Sequence, residues 1–344
     1  MIRLNNDYCY SAHPKVLEAL AADANNAYPG YGTDSWCEKA AEMLREQAQA
    51  PNADVHFLVG GTPANVIIIR HALRPWQSVA CADSAHINVH ETGAVEHKGI
   101  KCECVAAVDG KAVAADVEAL VRGAREDSVA EHITQPGMLY ISMATETGSV
   151  YTLAELEALR EVCDKYDLYL FIDGARMGYG LTAIGGDVTI VDIARLADVF
   201  YLGGTKQGLL FGEAVMILND ELKPYFRNSI KQGCSMLAKG WLAGLQFATI
   251  LENGLYFELA RKANELAERV RQALAAAKIP LAYKTTTNQV FVVFTPEQLA
   301  QLEGDFAFEI EGMQGDNHIM RICTSWATKD SDIDALVAAI EKLA

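Results

Sequence analysis

The sequence predicts an α/β fold, in which a mostly parallel seven-stranded sheet is sandwiched by helices and is followed by a smaller C-terminal α+β domain. Seven short apolar runs alternate with amphipathic segments, which is typical of the βα units that build a parallel sheet. After about residue 235 this alternation gives way to two long helical patterns and a few separate apolar runs. We therefore expect an N-terminal arm at 1–14 that joins the small domain, a large domain at 15–235, and a small domain with linking helices at 236–344.

The individual elements follow from the spacing of apolar residues. Short apolar runs predict the strands of the large sheet at 55–59, 78–81, 100–105, 138–143, 168–172, 199–202 and 214–218. Three more strands are predicted in the C-terminal part, at 281–283, 289–294 and 319–323. Helical periodicity predicts two helices within 12–50, separated by a turn-rich loop at 25–32, and further helices at 62–73, 114–122, 153–166, 237–252, 256–276 and 331–343.

Charge and hydropathy limit the classes of partner. The 344 residues include 29 basic and 45 acidic side chains, a formal net charge of −16, so the surface repels nucleic acid and anionic lipid. The apolar runs are too short to span a bilayer, and the polar N-terminus lacks the apolar core of a signal peptide. We expect a cytoplasmic protein that binds neither nucleic acid nor membrane.

The eight cysteines are scattered along the chain, and several fall within predicted core elements. Free thiols in a reducing compartment are the favoured interpretation. Cys102 and Cys104 form the only close pair and share one face of a strand, but no second pair completes a zinc site. We therefore expect no metal.

Two charged residues at the ends of apolar runs carry the strongest chemical signal. Lys206 follows the run at 199–202 after a glycine turn, and Asp173 ends the run at 168–172. Active groups of parallel α/β sheets collect at the carboxyl ends of the strands. A lysine that forms an imine and an acid that holds a pyridinium nitrogen are what pyridoxal 5′-phosphate (PLP) chemistry requires. The alternatives are a lysine that reaches the surface and a structural pair between Asp173 and Arg176.

A glycine turn and a histidine lie at two further strand ends. The segment Gly60-Gly-Thr-Pro-Ala-Asn65 leads from a strand into a helix, whose first N–H groups, with the Thr62 hydroxyl, can hold a phosphate. An ordinary glycine turn with a threonine cap is equally consistent with this pattern. His86, after the strand at 78–81, has the planar ring to stack on a pyridine or to act as a base, and a structural histidine is the alternative.

Arg321 interrupts the apolar run at 319–323. A guanidinium in a core strand needs an anionic partner with two oxygens, such as a substrate carboxylate. A structural salt bridge explains the same pattern.

Taken together and in this order, these segments resemble the low-specificity L-threonine aldolases within the β-eliminating lyase group, which are PLP enzymes of the aspartate-aminotransferase fold type I. The resemblance covers nearly the whole chain. Each motif alone is a weak signal, whereas six in the family's order are a strong one. The motifs are Leu4-Asn-Asn-Asp7-Tyr8 with Tyr31-Gly32, Gly61-Thr-Pro-Ala-Asn65, Ala85-His86-Ile with Glu91 and Gly93, Ile172-Asp-Gly-Ala-Arg176, Gly204-Thr-Lys206-Gln-Gly208, and Arg321.

The resemblance implies how the cofactor is held. PLP would form a Schiff base at Lys206, and Asp173 would pair with its pyridinium nitrogen. Gly61 and Thr62 would bind the phosphate, and His86 would stack on the ring.

The resemblance also implies how the substrate is held. Arg176 and Arg321 would bind the substrate carboxylate and the edge of the cofactor. Asn6, Asp7 and Tyr31 would line the substrate pocket, in part from a neighbouring subunit, because sites of this family lie at a dimer interface. A homodimer or homotetramer is therefore expected.

One segment departs from the family pattern. Many members carry an Asn-Thr-His-Asn-Gly-like sequence after the strand at 138–143, with a histidine near the substrate hydroxyl. This chain has Ala144-Thr-Glu146-Thr-Gly148 instead, so Glu146 occupies about the place of that histidine. A carboxylate acts as a base there if its pKa is raised.

The resulting expectation is a PLP-dependent aldehyde-lyase that cleaves the Cα–Cβ bond of L-threonine or L-allo-threonine to glycine and acetaldehyde. Lys206, His86, Asp173 and Glu146 are its expected catalytic residues. A β-eliminating lyase or aminotransferase with another amino acid substrate is the nearest alternative. A catalytically silent protein that has kept the fold is the non-enzymatic one.

Overall fold

A seven-stranded sheet forms the centre of the protein, as a computed structural model that describes residues 1–343 shows. Within those residues the strands are β1 (Ile2–Arg3), β2 (Asp54–Leu58), β3 (Gln77–Ala82), β4 (Lys101–Val105), β5 (Gln135–Ser142), β6 (Tyr169–Asp173), β7 (Val199–Gly203), β8 (Glu213–Ile217), β9 (Gln289–Phe294), β10 (Phe306–Ala307), β11 (Glu309–Gln314) and β12 (Asn317–Cys323).

The helices cover both faces of this sheet and one face of a smaller one. They are α1 (Pro14–Ala22), α2 (Ser35–Gln47), α3 (Gly61–Ala72), α4 (His86–Val89), α5 (Ala94–His97), α6 (Ala114–Glu126), α7 (Leu153–Tyr166), α8 (Met177–Leu181), α9 (Ile190–Leu196), α10 (Phe226–Gln232), α11 (Trp241–Leu251), α12 (Leu255–Ala276), α13 (Pro296–Leu302) and α14 (Asp330–Glu341).

The central sheet has the strand order β2-β8-β7-β6-β5-β3-β4. Strand β8 is antiparallel to both of its neighbours, β2 and β7, whereas the other pairs are parallel. All seven predicted strands of this sheet are present, so the predicted fold class is confirmed. Because β8 runs in the opposite direction, its first residue lies at the edge where the other strands end.

The C-terminal part contains a second core around the antiparallel sheet β11-β12-β9. Leu4 belongs to this core, and β1 pairs with β10, so the N-terminal arm lies against the C-terminal part. Helix α12 begins in the core of the large sheet with Leu255 and Tyr256 and continues into the second core with Leu266 and Val270. The exact domain boundaries stay a prediction.

The predicted strand at 281–283 is wrong. Leu281 forms only an isolated bridge to Val292, after which the chain turns away. The residues that follow are polar and bind elsewhere: the Thr287 hydroxyl donates to the Gly148 carbonyl oxygen at 2.9 Å. Strand β11 was missed because its polar, mostly exposed residues hide the apolar alternation that marks a strand.

Of the helices within residues 1–343, none combines the length and the apolar character that crossing a bilayer requires.

Two glycines let β6 and β7 approach each other where they end. A Cβ atom on Gly174 would lie 1.7 Å from the Tyr201 carbonyl oxygen, and one on Gly203 would lie 2.4 Å from the Ala175 carbonyl oxygen. Such contacts do not occur in folded proteins, so this approach requires glycine at both positions.

We expect Gly174→Ala to destabilise the protein by about 3 kcal/mol or more, because the clash is with backbone that cannot move without separating the strands. Gly123→Ala in α6 is the matched control, since nothing lies within 4 Å of the added methyl group. It should raise stability by about 0.5–1 kcal/mol. Chemical denaturation measures both, and equal stabilities of the two variants would contradict the packing argument.

Candidate active site

A cavity of about 330 Å³ opens at the carboxyl edge of the central sheet. Its wall is formed by residues that follow β2, β5, β6 and β7, by the N-terminus of α3 and by the first residue of β8. The cavity therefore joins polar groups from segments that are distant in sequence. The predicted site residues that line it are Gly61, Thr62, His86, Glu146, Asp173, Arg176 and Lys206.

Asp173 is buried at the end of β6. Its Oδ2 accepts hydrogen bonds from the Tyr140 hydroxyl at 2.6 Å and the Asn65 side-chain amide at 3.0 Å, and its Oδ1 accepts one from the Ala175 N–H at 2.9 Å. These donors fix the orientation of the carboxylate but are all uncharged. A buried carboxylate held in this way is suited to a protonated pyridine nitrogen.

Lys206 follows β7, and its side chain lines the cavity. The Tyr179 hydroxyl donates to the Lys206 carbonyl oxygen at 2.8 Å and so anchors the turn. Burial lowers the pKa of the Lys206 amine, and the charge of Arg176 adds to this, whereas the carboxylates of Asp7 and Asp173 oppose it. The net lowering favours the neutral amine, which is the nucleophilic form.

Arg176 pairs with Asp7 and not with Asp173. Its Nε donates to Asp7 Oδ2 at 2.8 Å and its Nη2 donates to Oδ1 at 3.1 Å, while the Asn288 side-chain amide also donates to Oδ2 at 3.0 Å. Burial by itself raises the pKa of Asp7, but Arg176 and Lys206 outweigh it and lower this pKa to about 2. Asp7 is therefore ionised, and the charge of Arg176 is balanced.

The N-terminus of α3 forms another part of the wall. The N-cap is Gly60, and no side chain caps the helix, so the alternative of a threonine cap is wrong. The first N–H groups of an uncapped helix lack partners within the helix and attract anions. A Cβ on Gly61 would lie 3.0 Å from the Tyr201 hydroxyl, which is buried and lacks a hydrogen-bond partner within residues 1–343. These donors fit a phosphate.

His86 is oriented by a buried carboxylate. Its Nδ1 lies 2.8 Å from Glu91 Oε1, which also accepts from the Asn65 side-chain amide at 2.8 Å. Because an ionised carboxylate only accepts, this contact assigns the Nδ1 proton to His86. Glu91 is buried and links His86 to Asn65, and through Asn65 to Asp173.

Glu146 lines the cavity, and two hydrogen bonds hold its Oε1. This oxygen accepts from the Ser142 hydroxyl at 2.7 Å and from the His86 backbone N–H at 2.9 Å. Burial raises the pKa of Glu146 above its ordinary value. Its carboxyl group is therefore positioned at the cavity wall with a pKa shifted towards neutral pH, as a general base requires.

Four residues predicted to bind substrate do not line this cavity in the part of the chain that the structure describes: Asn6, Asp7, Tyr31 and Arg321. Tyr31 lies near Lys231, whose Nζ is 4.7 Å from the ring centroid. Asn6 accepts a hydrogen bond from the backbone N–H of Tyr8 at 3.1 Å.

Arg321 forms a salt bridge with Glu311 at 2.8 Å, and its Nη2 donates to the Asn5 carbonyl oxygen at 3.2 Å. Through Asn5, Arg321 contacts the N-terminal arm that also carries Asp7. The substrate-binding roles of Asn6, Asp7, Tyr31 and Arg321 stay predictions.

Several polar residues at the site were not predicted: Tyr140, Ser142, Tyr201 and Glu213. Tyr140 and Ser142 alternate along β5, and such polar positions near the end of a core strand were a signal that sequence reasoning could have used. Glu213 precedes an apolar run and so gave no signal, because active groups were expected only after strands.

The residues present fit PLP. An amine with a lowered pKa, a buried carboxylate without a cation, a helix N-terminus and a planar imidazole all meet at one cavity. Lys206 would hold the carbonyl group of PLP, and Asp173 would hold its ring nitrogen. The turn at Gly61 would bind the phosphate, and His86 would lie against the face of the ring.

A model of the β-eliminating lyase family matches residues 7–297. The match covers most of the chain. The chain belongs to the β-eliminating lyase family. Because members of this family and the threonine aldolases depend on PLP, this lyase is a PLP-dependent aldehyde-lyase, as predicted.

Individual relatives agree with this assignment. The lyase is 29% identical to the low-specificity L-threonine aldolase of a Pseudomonas species over 95% of this chain and 93% of that protein. It is 28% identical to the enzyme of the same name from Pseudomonas aeruginosa over 80% of this chain and 79% of that protein.

Solved structures extend the comparison. The threonine aldolase of Leishmania major is 42% identical, with a TM-score of 0.97 over 100% of this chain and 99% of that chain. An aspartate aminotransferase of Thermus thermophilus is 17% identical, with a TM-score of 0.71 over 100% of this chain and 92% of that chain. The second likeness concerns the fold alone and confirms the expected fold type.

We expect Asp7→Ala to destabilise this lyase by about 3–5 kcal/mol at pH 7, because it leaves the Arg176 charge buried without a partner. The Asp7 pKa is lowered in the folded state, so its contribution is complete above its ordinary value of 3.8 and is lost only as the pH falls towards about 2.

Glu38→Ala is the control for this variant. It breaks a salt bridge with Arg45 in which the Glu38 side chain is 62% exposed, and should cost at most about 1 kcal/mol. Denaturant unfolding of both variants provides the test, and similar losses would count against a structural role of the Asp7–Arg176 pair.

Proposed function

We propose that this lyase cleaves the Cα–Cβ bond of a β-hydroxy-L-amino acid, such as L-threonine or L-allo-threonine, to give glycine and an aldehyde, here acetaldehyde. The observation that carries the proposal is the placement of Glu146 beside His86 in the same cavity as Lys206. Loss of the β-hydroxyl proton starts this cleavage, and a carboxylate with a raised pKa is suited to accept it. The names of the relatives support the same reaction.

When bound, PLP supplies an electron sink for the bond that breaks at Cα. The residues of the chain then have distinct tasks. Lys206 would provide the amine that holds the cofactor carbonyl. Asp173 would keep the pyridine nitrogen protonated, and His86 would lie against the ring. Tyr140 and Asn65 fix the Asp173 carboxylate in the orientation that this pairing needs.

Glu146 acts on the proton of the substrate hydroxyl. The Ser142 hydroxyl and the His86 N–H hold its Oε1 and keep the carboxyl group at the cavity wall. After the bond breaks, the aldehyde leaves and Cα takes up one proton to give glycine. Glu146 releases the proton it accepted, directly or through solvent, so the cycle as a whole neither gains nor loses a proton. A general base of this kind contributes about 10²–10⁴-fold to the rate.

Arg321 is proposed to bind the substrate carboxylate, with Arg176 at the edge of the cofactor. The Arg321 Nε is buried and has no hydrogen-bond partner among residues 1–343, although Glu311 and Asn5 use the other nitrogens. An unpaired buried donor is costly, and a carboxylate oxygen would satisfy it. Arg321 would thereby orient the bond that breaks.

We also infer a homodimer or homotetramer with a site at the subunit interface. Tyr8 at the cavity wall is 53% exposed, and Tyr31, predicted to line a pocket, lies away from the cavity of its own chain. A second copy that supplies Tyr31 explains both observations. Light scattering of the purified protein tests this inference, and a monomer that is fully active would overturn it.

The cysteines support the expected cytoplasmic location, since all eight are free thiols. Subcellular fractionation tests it, and recovery from an oxidising compartment would contradict it.

Lys206→Ala should lose covalent attachment of PLP and all turnover, because no other lysine among residues 1–343 lines the cavity. Borohydride fixation followed by peptide mass spectrometry locates the attachment. Lys98→Ala, at an exposed lysine, is the control and should retain both properties. Attachment that persists in the Lys206 variant would remove this residue from the proposed mechanism.

Glu146→Gln should lower kcat by about 10²–10⁴-fold and leave PLP attachment intact, because it removes the base and keeps the size of the side chain. In the wild type, kcat should rise with pH through the raised pKa of Glu146, since only the ionised carboxylate accepts the proton. The variant should lack this rise.

Product analysis separates the proposed reaction from its alternatives. Aldol cleavage of a panel of β-hydroxy amino acids gives glycine and an aldehyde, whereas elimination from β-substituted alanines gives ammonia and a keto acid. Keto acid and ammonia as the main products would overturn the proposal and favour the elimination chemistry of the family name.

A further inference from the structure

Three cysteines lie on one face of the last two strands of the central sheet, β3 and β4. Cys81 of β3 and Cys104 of β4 stand directly opposite each other in the parallel register, and Cys102 stands opposite Val79. Because alternate residues of a strand share a face, all three side chains project to the same side. None of them lines the cavity of the candidate active site. The proposed mechanism therefore assigns no task to them.

The sulfur atoms of Cys81 and Cys104 are in contact, with their Sγ atoms 3.8 Å apart. Neighbouring strands lie about 4.8 Å apart, and disulfides join residues whose Cα atoms are about 4.4–6.8 Å apart. The two strands therefore hold this pair at a spacing that a disulfide accepts. Strand geometry places the Cα atom of Cys102 about 8 Å from that of Cys81, which is beyond this range.

The two thiols differ in their access to solvent. Cys104 is exposed on the edge strand β4, whereas Cys81 is fully buried. A reagent in solution can therefore reach the Cys104 sulfur but not the Cys81 sulfur.

The contact also makes the exposed thiol the more reactive one. A hydrogen bond from the Cys81 thiol lowers the pKa of Cys104. Partial burial and the negative charges of Asp83, Glu96 and Glu103 act against this effect. Because the thiolate is the nucleophilic form, Cys104 is suited to attack a disulfide bond from solution, with Cys81 behind it.

We propose that Cys104 and Cys81 form a thiol pair that low-molecular-weight disulfides oxidise reversibly to an intramolecular disulfide. The Cys104 thiolate attacks one sulfur of the small disulfide, whose S–S bond breaks, and one small thiol leaves with the proton that Cys104 released. The Cys81 sulfur then attacks the Cys104 sulfur of the mixed disulfide, and the second small thiol leaves with the proton of Cys81. Two protein thiols are oxidised, and the small disulfide is reduced to two thiols.

The position of the pair makes this oxidation reversible. One of the two linked sulfurs, that of Cys104, lies on the exposed edge of the sheet, so a small thiol can attack it and reverse both steps. Exposed disulfides of this kind are labile, unlike the buried disulfides that stabilise secreted proteins. The free thiols of the structure are the reduced form of the pair.

The test uses the full-length protein with PLP bound. The protein is incubated in mixtures of reduced and oxidised glutathione, which serve as the small thiol and the small disulfide. Acid stops the exchange, and the remaining free thiols are blocked. Peptide mass spectrometry without reduction then identifies the partner of each cysteine. This readout does not use turnover, so failure of the proposed reaction would leave it unaffected.

As the share of oxidised glutathione rises, Cys81 and Cys104 should disappear from the free thiols together, and a peptide pair linked through them should appear. Excess reduced glutathione should restore both thiols. Cys234, an exposed cysteine of another segment, is the matched control and should carry glutathione without an intramolecular link. Cys102→Ser should leave the linkage unchanged.

Two further variants separate the steps. Cys104→Ser should lower the oxidation of Cys81 at least about tenfold, because the buried thiol does not meet the reagent by itself. Cys81→Ser keeps a hydrogen-bond donor, so Cys104 should still react but should stop at the mixed disulfide with glutathione. Thermal melting of each variant checks its folding.

Oxidation of Cys81 that persists in Cys104→Ser would overturn the proposal. So would a link from Cys81 to Cys102, a link between two chains, or the absence of the Cys81–Cys104 peptide pair at every glutathione ratio. If a variant does not fold, the peptide map of the wild type alone decides, because it shows directly whether these two cysteines are joined.

Discussion

Burial of charge at one edge of the central sheet is the constraint on which the rest of the structure depends. Lys206 and Arg176 lie at this edge together with Asp7, Asp173 and Glu213. An uncompensated charge in such a place costs several kcal/mol, so each group needs a partner that the fold must bring to it. The strand ends supply the charges, and the loops and the N-terminal arm supply the partners.

Asp7 shows how this requirement connects distant parts of the chain. It comes from the N-terminal arm, binds Arg176 after β6 of the large sheet, and accepts a hydrogen bond from Asn288 next to β9 of the small sheet. The same arm pairs with β10 and places Leu4 in the second core. The position of the small sheet is therefore coupled to the charge balance at the cavity.

The sequence allowed the central sheet and the main pair of site residues to be predicted. Lys206 and Asp173 follow apolar strands whose carboxyl ends must share an edge, so their placement required only short-range patterns. The burial of Glu91 was not predicted, because Glu91 lies between the four-residue helices α4 and α5, which are too short to show helical periodicity. Glu213 was missed because active groups were expected only after strands. The nine residues between β7 and β8, 204–212, are too few for a parallel crossover, so they were a signal that β8 begins at this edge.

The sequence by itself determined the strands and helices and the chemical type of each residue that ends a strand. This was possible because periodicity and side-chain chemistry depend on only a few neighbouring residues. Only the tertiary structure decided which groups are partners. Arg176 could have paired with Asp173, three residues away, but it pairs with Asp7, 169 residues away. The reason is physical. Strand order and strand direction set the distances between side chains, and a buried charge must pair with the nearest group of opposite charge, because leaving it unpaired is costly.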